Sequence, residues 1–551
     1  MKTSQAGLFF FSMVILCLGI QAYGYQIKGA VLDERGEPIP YAVVRVQATE
    51  NATMTNIEGR FTLVMSSSQR IMLTAWKQGY FNGGVELAND QNDVVIALKP
   101  VPPDDNKHYL WIPPYPPSTL QHLPMTGDES FNSRSENNCS SCHASFIVEQ
   151  WRQNAHSNSA RNPLLLTMYN GTNMAGEPGV SPGYKIDFPQ SKGNCATCHA
   201  PAQAIADPWG TDLNEVHGIA TQGVFCDFCH KIKDVELHPD GGYPGVLSIR
   251  LNRPPEGEQV FYGPFDDAIA GPDTFSPLFE KSRFCAPCHS AQFWGVSIYS
   301  EFDEWLESPY PKEGKECQDC HMAPDGVTTH FVASEKGGVK RAPETIATHN
   351  NPGSRDVKFL SDAIKMELQV EAETGILEVV VRLTNEKAGH HFPTGAPMRN
   401  MILLVEAIDR EGRELKYMDD TVVPQWGGVG LPEEGNYAGV PGKGFAKVLR
   451  DILPYADRSA RRDFSHEYPA PHWRPTVVES DNRIQARQSD ISTYRFQVPT
   501  NLSGAVQVTA KLIFRRAYKK WLDAKGIAIP DMEIARRDFT IQPQRNPNGR
   551  Q

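Results

Sequence analysis

Five Cys-x-x-Cys pairs, each followed directly by histidine, constrain this chain more than any other feature of its 551 residues. They read CSSCH, CATCH, CDFCH, CAPCH and CQDCH, and they use ten of the eleven cysteines. This pattern is typical of haem c attachment, in which both thiols form thioethers to the porphyrin and the histidine binds the iron. Zinc ribbons do not need a histidine after each pair, and two-residue loops make poor disulfide frameworks. The sequence therefore predicts five covalently bound heme c groups.

The motif residues divide into thioether cysteines and proximal iron ligands. Successive motifs begin 56, 31, 59 and 32 residues apart, a long-short alternation compatible with haems arranged as close pairs. The predicted thioether cysteines are Cys139, Cys142, Cys195, Cys198, Cys226, Cys229, Cys285, Cys288, Cys317 and Cys320. The predicted proximal ligands are His143, His199, His230, His289 and His321.

Length and charge limit the remaining possibilities. A chain of this length is expected to contain several domains. The formal net charge of −11 and the lack of a long basic run argue against nucleic acid as a partner. The predicted fold class is multidomain: an N-terminal β-sandwich, a loop-rich, mostly α multihaem cytochrome c core, and a C-terminal β-sandwich.

The N-terminus has the pattern of a signal peptide spanning residues 1–24. Lys2 precedes an apolar run from Gly7 to Ile20, and Ala22-Tyr23-Gly24 provides a small-x-small cleavage site. Cys17, the one cysteine outside the motifs, lies in this run. No later stretch is long and apolar enough to span a membrane, so the mature protein is expected to be exported, to the periplasm or the cell surface.

Alternating apolar residues predict a small β-sandwich over residues 25–100, without any haem motif. Its stretch GAVLDERGEPIPYAVVRV, followed by IEGRFTL, resembles the carboxypeptidase regulatory-like domain, a transthyretin-like sandwich. That resemblance implies a docking or spacer module. Repeated prolines then mark a stiff linker over residues 101–125.

The haem motifs occupy a predicted pentahaem domain over residues 126–355, with short helices expected at 145–154 and 301–307. From residue 356 to 551 the periodicity changes to two. Alternating apolar residues at 364–370 and 377–383 predict a hairpin, and further strands are expected at 402–408, 494–498 and 506–514. The C-terminal region is thus predicted to be a second β-sandwich that supplies a distal haem ligand.

The far side of each iron needs a second ligand if the haem is to act as an electron carrier, and histidine or methionine is the usual choice. Eleven histidines remain after the proximal five. The candidate distal ligands are His156, His217, His330, His349 and His390, with His391 as the alternate to His390. We expect the others to be structural or exposed, namely His108, His122, His238, His466 and His472.

Several of these segments carry a wider resemblance. QWRQNAHSNSA, HGIATQGVFCDFCH, EWLESPYPKEGKECQDCHM and AGHHFPTG together resemble a family of secreted multihaem cytochromes, over about residues 126–400. That family includes tetrahaem electron carriers and filament-forming extracellular cytochromes. The resemblance implies bis-histidine haems in closely packed pairs, and its GH-x-[FL/I]-PTG loop favours His390 over His391. The fifth motif and the N-terminal sandwich depart from the tetrahaem members, so haem order and distal assignments stay open.

Three functions remain: an electron carrier or conduit, a redox enzyme, and a structural subunit that polymerises into a filament or docks a cell-surface complex. The leading hypothesis is an electron carrier or conduit whose partners are redox proteins or extracellular electron acceptors, with self-assembly into filaments as a sub-case. The alternative is a redox enzyme with one open haem that acts on nitrogen or sulfur compounds. Pentahaem nitrite reductases typically carry a CxxCK motif, which does not occur here. Catalytic side chains are not predicted.

Overall fold

The computed structural model describes residues 25–65, 70–88, 93–116, 138–143, 146–238, 243–373, 375–452, 468–500, 502 and 504–542. The predicted signal peptide, part of the predicted linker, His122 and His466 lie outside these residues. The chain forms two compact units. One comprises the residues up to Pro100 together with Asp266–Ile269, and the other comprises Val101–Phe265 and the residues from Ala270 onward.

The first unit consists of one mixed sheet and one antiparallel sheet over a shared core. One sheet has the order β4-β1-β7 and the other β3-β2-β5-β6. Strand β4 alternates exposed and buried residues along its whole length, as a strand with one buried face should. Val31, Val44 and Leu73 from the two sheets meet in one apolar cluster. The strands are β1 Tyr25–Asp33, β2 Val43–Val46, β3 Ala52–Met54, β4 Arg60–Met65, β5 Ile71–Trp76, β6 Gly83–Leu87 and β7 Val94–Leu98.

The haem-motif region of the second unit is built from short elements joined by loops. In the described part of the chain, no helix has both the length and the apolar character that crossing a bilayer takes. The helices are α1 Ser140–His143, α2 Ile147–Gln153, α3 Pro163–Asn170, α4 Tyr184–Asp187, α5 Ala196–His199, α6 Pro201–Ala204, α7 Cys226–Cys229, α8 Ala286–His289, α9 Glu301–Glu307 and α10 Gln318–His321. Between them lie strands β8 Ile232–Val235, β9 Ile249–Leu251, β10 Phe261–Gly263, β11 Asp273–Phe275, β12 Ala291–Phe293 and β13 Val296–Tyr299.

The later part of the second unit contains two four-stranded sheets, with orders β14-β15-β21-β17 and β18-β16-β22-β23. Strands β14 and β15 form the predicted hairpin, with Glu373 opposite Ile376 at its turn. Buried residues from both sheets, among them Leu383 and Leu403, form one cluster. The remaining elements are α11 Val357–Ala363, β14 Ile364–Glu373, β15 Ile376–Asn385, β16 Asn400–Ile408, β17 Lys416–Tyr417, β18 Gly442–Phe445, β19 Lys447–Asp451, β20 Thr476–Asp481, β21 Ser489–Gln497, β22 Val506–Arg515, α12 Lys519–Lys525 and β23 Met532–Ile541.

The haem-motif region and the later sheets share a core through helix α3. This helix begins where the side chain of Asn162 accepts a hydrogen bond from the backbone N–H of Leu164, and it ends at Gly171 in the left-handed conformation. Leu164 and Met168 on one of its faces pack with Ile402 and other residues of the later sheets. These apolar contacts fix the two parts of the second unit against each other.

A buried ion pair crosses the same boundary. Arg474 donates two hydrogen bonds to Asp187, at 2.8 and 3.0 Å, and both side chains are at most 5% exposed. Trp473 Nε1 donates to the same carboxylate at 2.7 Å. Asp187 thereby holds the segment that contains residues 472–474.

We expect Asp187→Asn to lower the free energy of unfolding by about 3 kcal/mol, because it leaves a buried guanidinium without its main counter-charge. Urea denaturation followed by circular dichroism would measure the change. Asp362→Asn, which removes the same charge from the exposed Lys358–Asp362 pair, is the control and should not shift the midpoint. Equal stability of the two variants would contradict a structural role for the Asp187–Arg474 pair.

Candidate haem sites

Each of the five motifs folds as one turn of helix. The backbone N–H of the motif histidine donates to the carbonyl of the first cysteine in every case, at 3.0 to 3.2 Å. Positions i, i+3 and i+4 lie on one side of such a turn, so both thiols and the imidazole face the same way. All ten motif cysteines have free thiols. The local geometry is therefore that of a haem c attachment site, repeated five times.

Hydrogen bonds to the backbone orient four of the five motif imidazoles. The Nδ1 atoms of His143, His199, His230 and His321 each lie 2.6 to 3.2 Å from a backbone carbonyl oxygen. A carbonyl only accepts, so Nδ1 carries the proton and Nε2 keeps the lone pair that iron needs. Burial lowers the pKa of all four rings, that of His321 to about 4, which favours the neutral form that metals bind.

The fifth motif imidazole, His289, has a different partner. Its Nδ1 lies 3.5 Å from Oε1 of Glu301, the first residue of α9. Burial is the largest effect on His289 and opposes its protonation, but the hydrogen bond and charge of Glu301, together with the thiols of Cys317 and Cys198, outweigh burial and raise the pKa of the ring. Burial also acts to raise the pKa of Glu301, whereas His289 and then Arg399 lower it to about 2. His289 is thus held by a carboxylate where the other four rings are held by carbonyls.

Contacts between thiols bring different motifs together. Cys139 of the first motif lies close enough to Cys226 of the third for the two thiols to interact. The same holds for Cys198 of the second motif and Cys288 of the fourth, and for Cys285 of the fourth and Cys317 of the fifth. Every motif therefore has a thiol in contact with another motif, and these contacts do not follow the order of the motifs along the chain.

Two of the candidate distal histidines face a motif histidine. The ring centres of His156 and His289 are 6.4 Å apart, and those of His390 and His321 are also 6.4 Å apart. Two imidazoles on opposite sides of one metal ion, with bonds of about 2 Å each, hold their ring centres about 6 Å apart. His390 Nδ1 lies 2.9 Å from the carbonyl of His391, which leaves its Nε2 available. Burial lowers the pKa of His156 to about 4.

His391, the alternate candidate, is directed elsewhere. Its Nδ1 lies 3.8 Å from Oε1 of Glu304, and its backbone N–H donates to the same carboxylate. Burial lowers its pKa. Neighbouring residues of one loop thus have separate surroundings, with His390 beside a haem motif and His391 beside a buried carboxylate.

The other three candidates lie among the motifs without a ring pairing of this kind. His349 lies beside His230 and His143, and burial lowers its pKa to about 3. His217 directs Nδ1 to the carbonyl of Glu215 at 2.8 Å, just before the third motif.

His330 directs its Nδ1 to the hydroxyl of Thr329. It precedes Phe331, whose carbonyl accepts from His143 and whose ring stacks on that imidazole. His330 is therefore the neighbour of the residue that supports the His143 ring.

His472, which the sequence placed among structural or exposed residues, lies at a motif. It is close enough to His199 for the two rings to interact electrostatically, and burial lowers its pKa to about 4. Its Nε2 is 3.2 Å from the hydroxyl of Tyr299. Tyr299 in turn interacts with Cys195 and Cys198 of the second motif. No local sequence signal marks this contact, since the residues lie on distant segments.

A group of arginines offers a fit for the propionates that haem carries. Arg355 and Arg399 are close enough to Arg516 to act on its charge. Burial and then repulsion from these two neighbours lower the pKa of Arg516 to about 10. Arg399 also acts on Glu301, beside the fourth motif. Free thiols, imidazoles with an open Nε2 and a cluster of positive charge together fit haem c.

Comparisons with known proteins found one family match and a similar solved structure. A family model described as Cytochrome c554 and c-prime matches residues 138–231, which contain the first three motifs. The crystal structure of a penta-heme cytochrome c552 from Thermochromatium tepidum is similar, with 20% sequence identity and a TM-score of 0.48. That match covers 73% of this chain and 97% of the other. No curated protein matches the chain. The family match and the repeated motif geometry support a multihaem c-type cytochrome with covalently bound haem c.

Proposed function

We propose that this protein is an exported pentahaem cytochrome that transfers electrons along closely packed haems with histidine on both sides of the iron. The observation that carries the proposal is the pairing of His156 with His289 and of His390 with His321, each with ring centres 6.4 Å apart. A six-coordinate haem with two histidine ligands serves electron transfer, because no position is left for substrate.

We assign the remaining distal ligands by the motif histidines that lie beside each candidate. His349 is proposed to serve the first or the third motif, since both of their histidines lie beside it. His217 and His330 are proposed for the motifs left over. His391 stays the alternate to His390, although its contact with Glu304 favours His390 as the ligand.

The thiol contacts support a conduit. Iron at these sites would supply one-electron chemistry between Fe(III) and Fe(II). The chain holds four of the motif imidazoles as neutral rings in fixed tautomers. It places the first motif beside the third, the third in electrostatic reach of the fourth, and the fourth beside the second and fifth. Attachment points that lie within contact distance keep the groups they hold close together, as electron transfer requires.

The flanking parts suit an exported redox protein. We propose that each pair of sheets over a shared core is a β-sandwich, supported by the apolar clusters within the two pairs. The first unit would be a carboxypeptidase regulatory-like docking or spacer module, and residues 1–24 a signal peptide. The partners would be redox proteins or electron acceptors at the cell surface, with assembly into filaments as a sub-case.

Replacing His390 tests the ligand assignment. In the purified haem-loaded protein, we expect His390→Ala to convert about one fifth of the iron from low spin to high spin, because one iron loses its second axial nitrogen. Electron paramagnetic resonance and optical spectroscopy of the ferric protein would measure this fraction. His391→Ala is the matched control, next in sequence and equally a loss of imidazole, and it should leave the spin state unchanged.

The opposite result would revise the assignment. A high-spin signal in His391→Ala and not in His390→Ala would exchange the two residues. A wild-type protein that contains five haems with mostly high-spin iron would contradict the bis-histidine electron carrier itself.

One observation favours the second candidate function, a redox enzyme with an open haem. Nε2 of His472 is occupied by the hydroxyl of Tyr299, whereas His390, which is paired with His321, makes its contact through Nδ1 and keeps Nε2 open. A phenol and an imidazole beside the second motif would line the far side of its haem as hydrogen-bond donors. Such a pair suits a small polar ligand of the nitrogen- or sulfur-compound class.

Carbon monoxide distinguishes the two functions. If the second haem is open, the reduced protein binds carbon monoxide at about one iron in five, and Tyr299→Phe speeds its release about fivefold through loss of a hydrogen bond of about 1 kcal/mol. Flash photolysis would measure the release. Tyr518→Phe, which removes a buried hydroxyl bonded to the carbonyl of Pro397, is the control and should have no effect. Failure of the reduced protein to bind carbon monoxide would rule out the enzyme.

A further inference from the structure

The fourth motif differs from the other four in the group that accepts the hydrogen bond of its imidazole. Four rings donate to a neutral backbone carbonyl, at 2.6 to 3.2 Å. His289 instead faces the carboxylate of Glu301 at 3.5 Å. The electron carrier proposed above gives this difference no role, although the hydrogen-bond partner of an axial histidine is one of the protein's means of setting a haem potential.

The fold holds Glu301 in this position. The β12–β13 hairpin leads directly into α9, which starts at Glu301 and ends with its C-cap at Ser308. The Glu301 side chain is 17% exposed. Its second oxygen, Oε2, has no hydrogen-bond partner among the described residues. Among the described residues, Arg399 acts on the charge of Glu301 besides His289, without a direct ion pair to it.

A carboxylate acts on the imidazole more strongly than a carbonyl does. The contact of 3.5 Å is longer than the four carbonyl bonds, so the difference lies in the charge, which attracts the Nδ1 proton where a carbonyl is neutral. The ring would then donate more electron density through Nε2 to a bound iron, which favours Fe(III) over Fe(II). The negative charge of the carboxylate would act in the same direction, and more strongly than it would in water. Both effects would lower the reduction potential of a haem on the fourth motif.

The fourth motif is also the meeting point of the array. Its two free thiols lie beside thiols of two different motifs. Cys285 lies beside Cys317, and Cys288 lies beside Cys198. Both thiols also interact electrostatically with Cys229 of the third motif. The potential of this haem therefore affects the distribution of electrons among at least three neighbours.

We propose that Glu301 is a positioning residue that lowers the reduction potential of the haem at the fourth motif, the junction of the array. A junction of low potential is oxidised at equilibrium when its neighbours are reduced, so electrons are stored on the branches around it. This inference rests on the proposed function, because it requires a haem on each of these motifs.

Glu301→Gln tests the inference in the full haem-loaded protein. The variant keeps the shape and an acceptor oxygen but removes the charge. We expect one of the five midpoint potentials in a spectroelectrochemical titration to rise, while the other four stay within error. The near-infrared charge-transfer band of one haem, which reports electron donation by the axial ligands, should shift in the same variant.

Asp303→Asn is the matched control. Asp303 lies on the same helix, and its carboxylate accepts a hydrogen bond from Ser290, the residue after the motif histidine. The Asp303→Asn variant removes one negative charge two residues from Glu301 and leaves the contact between Glu301 and the Nδ1 of His289 in place. An equal rise of the same potential in Asp303→Asn would show a general effect of charge and would overturn the proposal.

Two further outcomes separate this inference from the proposed function. Five low-spin haems in the wild type with unchanged potentials in Glu301→Gln would overturn the inference and leave the electron carrier standing, whereas a wild type with few haems or high-spin iron would overturn the function on which it rests. Should Glu301→Gln fail to load haem, Glu301→Asp keeps the charge at a greater distance. It is expected to raise the same potential by a smaller amount, and no rise would overturn the proposal.

Discussion

The hydrogen bond from a motif imidazole to an acceptor elsewhere in the chain is the contact on which the arrangement of the haem sites depends. A single helical turn is too short to be stable alone, and nothing within it fixes the rotation of the histidine ring. The bond from His143 to Phe331 ties the first motif to a loop 188 residues later, and the bond from His321 reaches Pro352. These bonds fix the rotation of the ring and leave Nε2 free of a backbone contact.

Hydrogen bonds in the later sheets likewise position histidines that lie beside the haem motifs. The loop that contains His390 follows β15, and the buried Asn385 at the end of that strand donates to the carbonyls of His390 and Ile484. The bonds between Asp187 and Arg474 similarly hold His472 beside the second motif. The sheets therefore act as a rigid support from which single side chains reach the haem region.

The spacing of apolar residues along the sequence predicted the longer strands and one helix. The hairpin of β14 and β15 and the helix Glu301–Glu307 were predicted and are confirmed, because alternation and apolar spacing encode them directly. The β12–β13 hairpin was missed. Its strands have three and four residues, and its turn places Trp294 as well as Gly295 at positive φ, where tryptophan gives no turn signal. That short hairpin contains Tyr299, beside the second motif, and leads into Glu301, beside the fourth. Both residues therefore lie where the sequence pattern is weakest.

The sequence predicts which histidines are candidate ligands better than it predicts which motif each one serves. The reason is that a residue close to one motif in sequence often contacts a different motif in the fold. His156 follows the first motif by thirteen residues yet faces His289 of the fourth. The segment around it supports other motifs too: Ser159 accepts from His199 of the second, and the carbonyl of His156 accepts from Val224, just before the third. A segment that serves several sites cannot move for one of them alone. The haem region therefore behaves as one cooperative structure, in which the environment of each iron is set by residues that precede or follow other motifs.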